Sequence, residues 1–491
     1  MDSKYFEGLS LDIAPESIDY QLETASALLE DLKAVSVEAR SRAVKKIKQI
    51  AYNVKKLLGK NVVKALLEAF MDNHEAEFRI DSLIAIAFIG EASALPFLRK
   101  ILNESANYDL KKASAFALGE MRFTGSAASL IDALQFDDEE LQLIILNALS
   151  KISDPASAPA VIEASKNSSL KVKFTACGFL CKLGVTQGFE FIKRGLAHNS
   201  DVVKKEALII AREYPHEMFL DQLHEILNED HSGEVLVACI EALSKINDLS
   251  VIDDITKHIN NGKYANVRAA AAKALGELGE LCKVLVGDIT PYVKVLTQRL
   301  KDDSEQVVIN ASFALGEFKT PEAIPDLLEI IDSPSEEVKT AVITAVRSLA
   351  FWLSDIDGKN RLTYALMSLV KDPSSAIRAI VVETLGYLEN SEAVEALLEA
   401  LSDESEQVKE NAAAALGNFN TPAVIAALID LLNSENVVIR WNAITALNRL
   451  GDKSCLGPIS RMLQDSDESI RLAAQAFIDS FPVESPQTPE S

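Results

Sequence analysis

The chain has 491 residues and a formal charge of −24, from 73 acidic against 49 basic side chains. A field of that sign repels nucleic-acid phosphates and anionic membranes, whose binding needs clustered lysine and arginine, so nucleic acid is excluded as the default partner. With 48% hydrophobic, 6% aromatic and 25% charged residues the composition is globular, and the length exceeds one compact core, which leaves several domains or a repeat array.

From the N-terminus, "MDSKYFEGLSLDIAPES" has neither a basic start nor an apolar run, so it does not read as a signal peptide, and residues 1–20 form an extension outside any repeat. Beyond them one frame recurs. It is weak at Val37–Lys46 and firmer at Phe78–Ala87. From Leu110 it runs clearly through Leu141, Val172, Val203, Val235 and Val267 to Val307, Val338, Ile377, Val408, Ile439 and Ile470. Counted from each of these anchors, alanine or another small residue recurs at offsets four and seven, leucine at eight and often glycine at nine, as in "VRAAAAKALGELGE" (267–280). The steps are 31, 31, 31, 32 and 32 residues up to Val267, then 40, 31, 39, 31, 31 and 31. A fixed period of this length marks a solenoid of about fourteen units over residues 21–481.

A second helix precedes each anchor. "ALPFLRKIL" (94–102), "EAIPDLLEII" (322–331), "EAVEALLEAL" (392–401) and "AVIAALIDLL" (423–432) all repeat apolar residues at three and four. Thr320 and Thr421, each followed by proline, read as N-caps with proline in the first helical turn. The links "DDSEQ", "DESEQ" and "DSDES" place carboxylates where the next helix begins, so much of the acidic excess is structural. The small residues act as spacers that let helices approach closely in a stack. The predicted fold is all-α: an α-solenoid, a superhelix of about fourteen helix pairs.

The "VRxxAxxALGxxG" helix paired with "EAIPxLLxxL" at this period resembles HEAT repeats of the short type also found in phycobilisome lyases. The resemblance implies a helical scaffold, an adaptor, a chaperone-like protein or one of a few enzymes. Its alternative implication is a bilin lyase-like or chaperone-like role on a chromophore-bearing partner. HEAT-like deoxyhypusine hydroxylases carry His-Glu pairs inside successive repeat helices. Here His74-Glu75, His216-Glu217 and His224-Glu225 fall outside the matching place in the anchor helix, so that activity is not expected.

Three steps are longer by eight or nine residues and contain 50–63, 279–293 and 348–364. Inserted segments in solenoids can bind partners. His216, His224, His231 and His258 lack tight ligand spacing, and Cys177 and Cys181, one turn apart, lack a second pair, so structural roles are expected for both sets. There is no phosphate loop, dinucleotide fingerprint or nucleophile elbow. No catalytic residue, metal or cofactor is expected. An odd set of five scattered cysteines suits a reducing, cytoplasmic setting, and no apolar run is long enough to span a membrane.

At about 100° per residue, offsets zero, three, four, seven and eight form the buried side of the anchor helix, and offsets two and six point away from it. Several of the latter are nonetheless large and apolar: Leu143, Phe174, Val237, Ile309, Trp441 and Leu472 at offset two, and Phe116, Ile209 and Phe313 at offset six. Lys112, Lys205, Glu241, Lys273, Glu383 and Glu410 share the strip. An apolar stripe bordered by charge suits a groove for a partner's helix or extended segment, so these nine apolar residues are the candidate protein-binding set on the concave face. "PVESPQTPES" (482–491), with three prolines, is expected to be a disordered tail.

Overall fold

The structure, a computed structural model, describes residues 28, 30–32, 37–51, 59–353 and 356–481. The N-terminal extension and the C-terminal tail of the sequence reading lie outside the described residues. All regular structure among the described residues is helical. The chain divides into two compact units, Met1–Leu223 and His224–Ser491.

In the first unit the anchor helices are Val37–Ala51, Ala76–Ile89, Tyr108–Met121, Glu139–Ile152, Leu170–Lys182 and Asp201–Glu213. In the second they are Gly233–Ile246, Ala265–Glu277, Glu305–Glu317, Glu336–Ala350, Ser375–Leu388, Glu406–Leu416, Val437–Leu450 and Glu468–Asp479. Every anchor of the sequence frame therefore sits in a helix, and each unit is a stretch of α-solenoid in which an anchor helix packs on the next anchor and on its own outer helix. The outer helices are short, as in Ala127–Ala133 and Val394–Ala400. Many open as a 3₁₀ turn, for example Thr124–Ser126, Pro321–Ala323 and Ser391–Ala393. Thr421 caps its helix by accepting from the Val424 amide, with Pro422 in the first turn, as expected. Thr320 makes no such bond, and its buried hydroxyl has no hydrogen-bond partner among the described residues.

The small residues do set the spacing of the stack. A Cβ built on Gly276 would stand 2.7 Å from the Cα of Ala314 on the next anchor helix, and one on Gly386 would stand 2.5 Å from the Cβ of Ala415. Offset nine of one helix thus meets offset seven of the next at backbone distance, where only hydrogen fits. The core lies at offsets zero, four, five, seven and eight, as with the buried Val267, Ala271, Ala272, Ala274 and Leu275. Offset five replaces the expected offset three. The amides there turn to the preceding helix instead: Asn310 donates to the Ala269 carbonyl (2.8 Å), Asn411 to Ala379 (2.9 Å) and Asn442 to Glu410 (2.9 Å).

A second ladder binds the repeats where outer helices turn into anchor helices. Arg378, at offset one, donates through Nε and Nη2 to Asp403 of the next repeat, both at 2.8 Å, and through Nη1 to the Asp372 carbonyl behind it at 2.8 Å. Arg268 with Asp302 and Arg440 with Asp465 repeat the pattern, and Lys339 pairs with Asp372. Each aspartate also accepts a backbone amide two residues on, such as Ser304, Ser374 or Ser405. The Arg378 hydrogen bond holds the Asp403 carboxyl below its usual range, against a smaller upward push from burial. Part of the acidic excess in the links is thereby consumed in holding helices together.

Candidate partner-binding surface

The nine candidate side chains divide by their angular position. Taking about 100° per residue, the buried arc is centred near 60°, so offset six points about 180° away and offset two only about 140°. Offset two therefore borders the next helix. Phe313 and Ile209, at offset six, are exposed. Leu143, Val237 and Ile309, at offset two, are half-buried, as is Phe116 at offset six, which packs edge-on against Phe88 with ring centroids 6.2 Å apart.

Phe174 is a correction. It is 2% exposed and stacks edge-to-face on Phe191 of the following outer helix at 5.6 Å, so it belongs to the core of the first unit. Lys112 is likewise buried instead of wet, held by Glu140 at 2.5 Å and Asp138 at 3.6 Å. Trp441 and Leu472, although at offset two, remain exposed toward the C-terminal end of the second unit, at 42% and 64%.

The structure adds offset ten to the accessible strip. Lys245 reaches Glu277 of the next anchor helix at 2.8 Å, Lys151 pairs with Glu120, and Tyr387 stands open beside Glu383, itself bridged to Arg347 at 2.9 Å. These exposed pairs contribute little energy each but keep the strip wet and its charges balanced. In the first unit the strip brings together Phe116, Leu143 and Ile209 with lysines. In the second it presents Ile309, Phe313, Trp441 and Leu472 between acids, amides and Tyr387.

All five cysteines are buried and outside any disulfide; burial pushes Cys177 and Cys181 up to about 12 and Cys282 up to about 11, so these three hold their protons at neutral pH. The histidines make packing contacts: His216 Nδ1 accepts the Met218 amide at 3.1 Å, His224 Nδ1 meets Asp254 at 2.7 Å, and His258 Nε2 reaches the Leu227 carbonyl at 2.9 Å. Among the described residues, no group of three or more His, Cys, Asp or Glu side chains could hold a metal ion.

Two exposed aromatics of the second unit were not singled out by the helical wheel. Phe351 and Trp352 follow the Glu336–Ala350 helix and are 76% and 52% exposed. Their signal was local: two consecutive aromatics at a helix end cannot both turn into one core.

The stacked pairs match a known repeat family in sequence and solved structures in shape. HEAT repeats are recognised at residues 100–180, 189–276, 293–357, 363–439 and 425–478. The chain is a HEAT-repeat protein. No curated protein matches it in sequence. Among solved structures it is similar to the karyopherin of the Kap95:Nup1 complex, at 11% identity and a TM-score of 0.63, covering 94% of this chain and 79% of the other. It is also similar to importin beta, at 15% identity and 0.57, covering 94% and 67%. For Kap121p bound to Ste12p the values are 13% and 0.55, with 91% and 55% covered. At these identities the likeness is one of fold.

Proposed function

We propose that this HEAT-repeat protein is a non-enzymatic scaffold or adaptor that holds a protein partner on the open face of its anchor helices. The observation carrying this is that the open side of four anchor helices leaves large apolar side chains in water: Ile209 in the first unit, and Phe313, Trp441 and Leu472 in the second, 42–64% exposed. Exposed aromatics of this kind are where binding energy concentrates. Solved neighbours were captured with protein partners, Nup1 and Ste12p among them, which supports a partner-binding use of the fold without naming one here. Five reduced cysteines and a charge of −24 support a cytoplasmic protein that avoids nucleic acid. No described helix is long and apolar enough to cross a membrane. The resemblance to the repeat type of phycobilisome lyases rests on the "VRxxAxxALGxxG" and "EAIPxLLxxL" helices and their 31-residue period.

The test is a double variant, Phe313→Ser with Trp441→Ser, in cross-linking capture from the native cell. Proteins lost from the variant and retained by the wild type identify the partner, while the melting temperature stays within a few degrees because neither side chain is core. An unchanged capture profile with unchanged melting would move the binding face elsewhere.

A further inference from the structure

In the second unit the apolar side chains most open to water are not on the anchor-helix strip. Phe351 and Ile356 are 76% and 74% exposed, with Trp352 and Tyr364 also open. The Phe351 and Trp352 rings stack edge-to-face at 5.4 Å, so they support each other and leave one another's outer faces in water. Beside Trp352 lies a pocket of about 450 Å³, walled by Pro321, Ile324, Pro325 and Leu328 of one outer helix and by Leu353. Glu322 and Arg361 stand at its lining.

The unit that carries this site is acidic as a whole, although the Ile356–Met367 helix itself bears Lys359 and Arg361. Residues 224–491 hold 22 basic and 42 acidic side chains, a net −20, against 27 and 31, a net −4, in residues 1–223. Glu322 lines the pocket and Asp326 follows on the same outer helix, while Glu392, Glu395 and Glu399 lie along the later outer helix that Tyr364 reaches through Glu392. Glu399 is neutralised by Lys371 and Glu392 accepts from the Tyr364 hydroxyl at 3.2 Å, but Glu322 and Glu395 have no ion pair among the described residues. Among the described residues Arg361 is the one cation lining the pocket, and it too has no ion pair.

We propose that this edge binds a lysine- and arginine-rich peptide segment carrying one large apolar side chain. The apolar side chain enters the pocket against Trp352 and the two prolines. Its basic neighbours lie over the open faces of Trp352 and Tyr364, where the ring quadrupole attracts a cation, and toward Glu322 and Glu395. Arg361 keeps a cation out of the pocket itself and so fixes the register, apolar residue inside and charge on the rim. The site is separate from the anchor-helix strip and does not depend on Phe313 or Trp441.

Fluorescence anisotropy of the full chain with three labelled nonapeptides tests this: alternating lysine and arginine around a central phenylalanine, the same with glycine at the centre, and glutamates around phenylalanine. The first should bind. The glycine peptide, and Trp352→Ala with the first peptide, should each bind about tenfold more weakly, the loss of one aromatic anchor. Arg361→Glu should tighten the first peptide, and the Phe313→Ser, Trp441→Ser variant should leave it unchanged, which separates this site from the strip. Equal binding of the first two peptides, or indifference to Trp352→Ala, would reduce the effect to bulk charge and overturn the proposal. Preference for the glutamate peptide would replace it with an acidic partner. Self-association abolished by Trp352→Ala, without peptide binding, would place a second copy of the chain there and equally overturn it.

Discussion

Gly386 shows what one hydrogen atom in place of a methyl group decides. Alanine is the better helix former by about 1 kcal/mol, so in an isolated helix Gly386→Ala would stabilise. Here its methyl would meet Ala415 Cβ at 2.5 Å and Cα at 2.9 Å, which only a shift of the whole neighbouring helix relieves. Overpacking of that kind costs about 1–3 kcal/mol, so the net effect should be a lower melting temperature. Gly178 is the control. Its added methyl meets the Ile210 Cδ1 at 3.0 Å, the free end of a flexible side chain that can rotate away. Gly178→Ala should therefore be neutral or mildly stabilising, and thermal melts of the two variants should move apart; a stabilised Gly386→Ala would show that the anchor helices are not held at that distance.

Between one helix and the next, the ladder of Arg378 with Asp403 makes a prediction about pH. Both side chains are nearly buried, at 7% and 12% exposure. Because Asp403 has its folded-state pKa lowered, chiefly by Arg378, the stability it contributes is complete above the unfolded value and is lost as pH falls through the folded one. Asp302, Asp372 and Asp465 are also held low: burial would raise them, but their arginine or lysine partners and backbone amides outweigh it. Melting temperature should thus be flat from pH 7 to 5 and fall steeply below about 4, where unfolded aspartates titrate. Asp403→Asn should cost about 3 kcal/mol at pH 7 by leaving Arg378 buried with less compensation, and the gap from wild type should narrow toward pH 3. A constant gap across that range would mean the carboxylate is not what binds the repeats. This level was only half legible in the sequence. The 31-residue period located every anchor helix, and Thr421-Pro422 marked a true helix start. A wheel drawn for one helix, however, contains no neighbours. It could not show that the next outer helix covers Phe174, that offset five faces the core, or that the amides at offset three turn to the preceding helix. The aromatics Phe351 and Trp352 fall in a segment that breaks the period, so no repeat frame assigned them a direction.

Across the whole chain the charge is not shared evenly, and this separates two electrostatic effects of opposite sign. The buried Arg-Asp pairs are stabilising and, being shielded from solvent, respond weakly to salt. The mutual repulsion of 42 acidic side chains against 22 basic ones in residues 224–491 is destabilising, acts through water and is strongly screened. The screening length shrinks from about 30 Å at 0.01 M salt to about 8 Å at 0.15 M, shorter than the spacing of all but adjacent repeats. Repulsion among the link and outer-helix carboxylates should then fade while the ladder persists. Raising sodium chloride from 0.01 to 0.15 M should increase the melting temperature, with most of the gain in the transition that reports on the second unit, monitored by Trp352 and Trp441, both of which lie there. The first unit, at −4, should change little. A melting temperature that falls with salt would mean that exposed ion pairs such as Lys245–Glu277 outweigh the repulsion, and that the acidic excess is matched locally instead of standing open to a basic partner.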